Sequence, residues 1–83
     1  MSNEETEQQL VNLLRSNMGL SFSEVEGLFR IIGCEKLFSS LLTRENSWWA
    51  PDGTFQLVFR DARYAAVFSA HHYILVRVYS LDG

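Results

Sequence analysis

The stretch DGTFQLVF, Asp52 to Phe59, decides how the rest of the chain is read. Phe55, Leu57 and Phe59 recur at period two, the spacing that turns one face of a strand into a core. Asp52-Gly53, just after Pro51, is a turn pair, so the strand is expected to begin at Thr54. A strand buried on one side needs neighbours, and the flanking sequence supplies them.

Downstream, RDARYAAVFSA is short and alanine-rich and predicts a helix capped by Asp61. YILVRVYS then reads as a β-branched strand, with Ile74, Val76 and Val78 on one side and Leu75, Arg77 and Tyr79 on the other. Upstream, NSWWAPDG is a loop by composition. EKLFSSLLTRE is ambiguous: Leu37, Phe38, Leu41 and Leu42 have helical spacing, whereas a strand would split them between two faces. SFSEVEGLFRIIG is a helix with Ser21 and Glu24 at capping-box spacing. Val25, Leu28, Phe29 and Ile32 form one face, and Gly33 stops it. QLVNLLR, from Gln9 to Arg15, is too short for periodicity to separate helix from strand.

With the ambiguous runs taken as strands, the order is strand, helix, strand, strand, helix, strand. The expected fold class is α+β: a ferredoxin-like split βαβ sandwich (βαββαβ), with two helices on one face of a four-stranded antiparallel sheet. From about Val11 to Tyr79 the chain resembles the RNA recognition motif (RRM) family. Ser21, Glu24, Val25, Leu28, Phe29, Ile32 and Gly33 match its first helix, VNLLRS falls on its hexamer strand, and DGTFQLVF falls on its octamer, where Gly53, Leu57 and Phe59 agree. The resemblance implies an RRM-type sandwich in an RNA-processing or ribonucleoprotein assembly. The positions that carry base-stacking aromatics in the family hold Asn12, Thr54 and Gln56 here, and the leading basic residue is Asp52. Base–aromatic stacking is worth about 1–3 kcal/mol per base, so the reading surface is lost while the scaffold is kept.

The chain has 83 residues, room for one small domain, and residues 1–8 are expected to be a disordered acidic lead-in to a domain spanning 9–83. Seven basic residues against ten acidic ones give a net charge of −3, which weighs against phosphate-driven nucleic-acid binding. A single cysteine, Cys34, precludes an internal disulfide and fits a reducing compartment. No apolar stretch is long enough to span a bilayer, and MSNEETEQQ is too polar for a secretory signal. The expected location is intracellular, cytoplasmic or nuclear.

The apolar residues outnumber what one small core can hold. A partner-binding patch is expected from Trp48, Trp49, Ile31, Tyr64, Phe68, Leu75 and Tyr79. The alternative is weak single-stranded RNA binding on a polar platform of Asn12, Thr54, Gln56, Arg77 and Arg44. His71 and His72 are adjacent, so on a strand they point apart and chelate poorly; they read as a loop pair. Ser39, Ser40 and Ser80 lack the base and orienting group that catalysis needs, and Cys34 reads as a buried small hydrophobe rather than a reactive thiol. The expected activity is therefore a protein–protein interaction module, dimerising or scaffolding. Its partner is another protein or a second RRM, with no enzyme chemistry, cofactor, metal, membrane or small-molecule substrate.

Overall fold

The computed structural model describes residues 3–83. Three helices, α1 (Asn3–Arg15), α2 (Phe22–Ile31) and α3 (Glu35–Leu41), precede four strands, β1 (Ser47–Trp49), β2 (Phe55–Phe59), β3 (Tyr64–Phe68) and β4 (Leu75–Ser80). The strands form one antiparallel sheet in the order β1-β2-β3-β4, a meander in which each strand pairs with its chain neighbour. The fold class is thus α+β with a four-stranded antiparallel sheet, as expected. The order along the chain differs from the interleaved one: all helices come first.

The best-marked element forms as its residues dictate. Ser21 Oγ accepts from the Glu24 amide at 3.2 Å, and the Ser21 amide donates to Glu24 Oε1 at 3.0 Å. This reciprocal pair satisfies two amides that a helix start leaves open. The Ser21 amide, and after it the Ser21 hydroxyl, hold the Glu24 carboxyl below its ordinary pKa. Val25 and Phe29 face the core, and Gly33 at φ +79 ends the helix in the left-handed region that a side chain would disfavour.

Three segments adopt the other regular structure from the one expected. Gln9–Arg15 is the second half of α1 and not a strand. Glu7, Leu10, Val11 and Leu14 are its buried residues, spaced i, i+3, i+4, i+7. The pattern becomes helical only when it is followed back past Gln9, into residues expected to be disordered: residues 3–8 are the first turns of the helix. Glu4 and Glu5 lie in its first turn and Arg15 in its last, which suits the helix dipole. Residues 1–2 lie outside the described part.

The alanine-rich stretch is β3 and not a helix. Tyr64, Ala66 and Phe68 join the core on one face, and Ala65 and Val67 are buried on the other. Arg63 at φ +63 belongs to the tight turn from β2, so Asp61 begins no helix. EKLFSSL, taken as a strand in the expected order, is the helix α3, whose helical spacing buries Phe38 and Leu41 together. NSWWAPDG contains the short edge strand β1 before its turn.

The core lies between the helices and one sheet face. Leu10, Val11 and Leu14 of α1, Val25 and Phe29 of α2, and Phe38 and Leu41 of α3 meet Leu57, Phe59, Ala66, Phe68 and Leu75. Burying each large apolar side chain contributes about 1.5–3 kcal/mol. Glu7 is the buried acidic residue, 4% exposed. Its Oε1 accepts from the amides of Asp61 at 2.9 Å and Ala62 at 3.2 Å, which pins α1 to the β2–β3 turn. Burial pushes its carboxyl pKa up; the Asp61 charge adds to this and the two amides oppose it.

A register shift between Val67 and Phe68 makes β4 irregular: Phe68 pairs with Leu75 and Val67 with Arg77. Val76 falls in the bulge. Leu75 and Val78 consequently share the core side, while Arg77 and Tyr79 stand on the opposite face. Simple alternation had put Leu75 with Arg77 and Tyr79. The bulge breaks that parity.

Candidate functional site

Four aromatic side chains from separate parts of the chain meet at one edge of the helix–sheet interface. Phe22 is the first residue after the cap of α2, Trp49 ends β1, Phe55 begins β2, and Tyr73 lies in the turn before β4. Ring centroids are 5.6 Å apart for Phe22–Phe55, 4.9 Å for Trp49–Phe55 and 5.2 Å for Trp49–Tyr73. The interplanar angles of these pairs are 86°, 56° and 67°, so the rings stand as walls set at angles and do not stack. They line an open cavity of about 220 Å³ to which no polar atom contributes. Trp49 is 60% exposed and Tyr73 41% exposed.

The backbone around these rings is tied down. The Phe22 amide donates to the Tyr73 carbonyl at 2.8 Å, and Ser21 forms a β-bridge with Ile74. The Leu75 amide donates to Leu20, and the Gly19 amide to Leu75. Ser69 Oγ accepts from the Ile74 amide at 3.0 Å. Within this frame His72 and Tyr73 hold φ values of +68 and +49, two consecutive left-handed residues that are not glycine. Such conformations cost roughly 1–3 kcal/mol each and persist only where surrounding contacts enforce them.

In the β1–β2 turn, Asp52 accepts from the Thr54 hydroxyl at 2.7 Å and from its amide at 3.0 Å. These bonds, the hydroxyl first, hold the Asp52 carboxyl below its usual range. Gly53 at φ +88 lets this turn approach the next: a Cβ there would lie 3.1 Å from the Ala70 Cβ.

The second surface is the sheet face away from the helices. Strand pairing places Trp48, Gln56, Val58, Ala65, Val67, Arg77 and Tyr79 there. Tyr79 Oη donates to Gln56 Oε1 at 3.3 Å, from β4 across β3 to β2. The Arg77 guanidinium lies over the Tyr79 ring, 4.7 Å from its centroid.

The residues expected to bind a partner therefore scatter. Trp48 and Trp49 point to opposite faces as neighbours on a strand, both partly exposed. Tyr79 is half-buried on the open face. Ile31 is 83% exposed at the end of α2, remote in kind from the aromatic cluster. Tyr64 packs against the core with Arg15 over its ring. Phe68 and Leu75 are core residues with no exposed surface to offer.

Of the polar platform, Gln56 and Arg77 share the open face, but Asn12 is on α1, where Gln8 donates to its Oδ1. Thr54 is engaged by Asp52, and Arg44 lies in the exposed α3–β1 loop. His71 and His72 occupy the β3–β4 turn. Among the described residues no cluster of three or more His, Cys, Asp or Glu side chains is placed to hold a metal ion, and no helix is long and apolar enough to cross a membrane.

Sequence reasoning found Trp49 but not its three companions. Phe22 and Phe55 carry the period of a core face, and Tyr73 reads as the start of a strand. The available signal was position: each sits at the junction of an element with a turn, where a ring can be half core and half surface.

No family model, no curated protein and no solved structure matches this chain.

Proposed function

We propose that this domain is a protein–protein interaction module. The observation that carries the proposal is the aromatic cavity: Trp49 and Tyr73 are both exposed, Trp49 on a strand paired with Phe55 and Tyr73 in a turn whose left-handed backbone is bonded to Phe22. Tryptophan and tyrosine anchor interfaces because a large rigid ring buries much area at little entropic cost. An exposed apolar site on so small a domain is expected to be covered in its working state. The RRM resemblance adds a setting, an RNA-processing or ribonucleoprotein assembly. A sheet with helices on one face is present, but the helices all precede the strands and VNLLR lies in α1, so this reading does not rest on the interleaved βαββαβ order.

The test combines sedimentation across a wide concentration range with cross-linking to candidate partners. Self-association or a defined heterocomplex is expected, weakened tenfold or more by Trp49→Ala with the circular dichroism unchanged. A domain that remains monomeric at high concentration and forms no complex overturns the proposal.

A second reading, weak single-stranded RNA binding, is favoured by the Arg77–Tyr79 pair on the open sheet face, a cation beside a ring on which a base can stack. It requires salt-sensitive micromolar binding to a degenerate RNA pool, read by fluorescence anisotropy. An Arg77→Glu variant that binds as well as the parent removes it.

A further inference from the structure

Resting on the interaction-module reading, we propose that the cavity of Phe22, Trp49, Phe55 and Tyr73 is a cage for a trimethylated lysine side chain on a basic segment of a partner protein. Three features of the site select that group.

The first is size. At about 220 Å³ the cavity is below the roughly 300–1,000 Å³ of small-ligand pockets, and it suits the end of one side chain.

The second is the lining. All four residues are aromatic, the three neighbouring pairs stand at 56° to 86°, and no polar atom lines the cavity. Ring faces carry negative charge density and attract cations from several directions at once. A bare ammonium entering such a box would leave its N–H donors without acceptors. A trimethylammonium has none to satisfy, keeps the positive charge, and presents methyl groups to the rings. A proline-rich strand fits less well, since its carbonyls seek donors that this lining lacks.

The third is charge. The chain carries ten acidic against seven basic residues, a net charge of −3, so it draws basic segments. The same balance argues against a choline lipid, whose phosphate would need a basic partner that no lining residue provides. Preorganisation supports the assignment: the capping box, the Phe22–Tyr73 backbone bond and the Asp52–Thr54 turn fix the walls before any ligand arrives.

The experiment is an NMR titration of the intact chain with choline and with its neutral isostere 3,3-dimethylbutanol, followed by peptides that are lysine-rich and differ only in one unmodified, trimethylated or leucine-substituted position. Choline is expected to shift the ring signals of Phe22, Trp49, Phe55 and Tyr73 and to bind about tenfold more tightly than the isostere. The trimethylated peptide should exceed both others by a similar factor. Trp49→Ala should abolish the effect, and Trp48→Ala, on the opposite face, should leave it intact. Phe22→Leu, which keeps apolar bulk, guards against a variant that simply unfolds and should weaken choline while the amide spectrum stays folded. Equal binding of choline and isostere, or preference for the leucine peptide, overturns the cage but leaves the interaction module standing. Absence of any shift at the four rings overturns the cage as well. Binding to phosphatidylcholine vesicles without preference among the peptides replaces it with a lipid site.

Discussion

At the centre of the sheet the two faces reach similar burial by different means. On the helix side Phe59, Phe68, Leu57 and Leu75 are sealed by three helices whose own apolar residues interlock with them. On the other side, among the described residues, no helix lies over Val58, Ala65 and Val67, yet they are only 5%, 0% and 8% exposed. Their cover is made by the sheet itself: Tyr79 reaches across β3 to Gln56, and Arg77 lies over Tyr79. Small residues on the central strand leave room for long amphipathic ones from the strands on either side to lie flat. The first face is closed by packed mass. The second is closed by side chains that can swing away.

The largest losses are expected in the core. Phe68→Ala should destabilise the domain by about 3–5 kcal/mol, a large share of a small domain's stability, read from denaturant midpoints. Glu7→Ala should follow, at about 1–3 kcal/mol, because it strands the Asp61 and Ala62 amides and frees the helical layer from the turn. Tyr79→Ala on the self-covered face should cost only about 1 kcal/mol, while raising hydrogen exchange at Ala65 and Val67. Arg77→Ala, removing a cation–π contact at an exposed site, should cost about 0.5 kcal/mol. Equal losses for Phe68→Ala and Tyr79→Ala would erase the distinction between the faces.

A pH series sharpens the role of Glu7. Its folded pKa lies above the unfolded value, so the neutral carboxyl is the form that folding favours. The stability it contributes is complete below the unfolded pKa and is lost as pH rises through the folded one. Glu7→Gln keeps an acceptor oxygen and removes the ionisation, so this decline should disappear. Glu24 works in the opposite direction, its stabilisation being lost as pH falls through its lowered folded pKa.

What could be read beforehand was whatever a short stretch decides alone. The Ser21–Glu24 box, the stop at Gly33 and the alternation of Phe55, Leu57 and Phe59 are local, and each appears in the structure. The segments misread are those whose state depends on distant contacts. YAAVF has helical composition, but its alanines serve a strand crowded on both faces. The helical stripe of α1 includes an acidic residue, Glu7, whose burial is bought by amides 54 and 55 residues away. The aromatic cavity was legible only through Trp49, since four rings gathered from separate elements leave no spacing rule. The bulge in β4 hid the true side of Leu75 for the same reason: its cause is pairing, not composition.

The meander has a kinetic consequence. Every strand pairs with its immediate chain neighbour, so the sheet can assemble through short loops whose closure entropy is small. The ties between distant segments are of another kind, Leu20 with Leu75 and Glu7 with Asp61 and Ala62. They form when the helical half docks. Docking after the transition state would make them brakes on unfolding: loss of the Glu7 tie should accelerate escape from the native state and leave refolding nearly unchanged, as the two arms of a chevron would show. The helical half, in that sequence of events, is the latch on a sheet that has already closed.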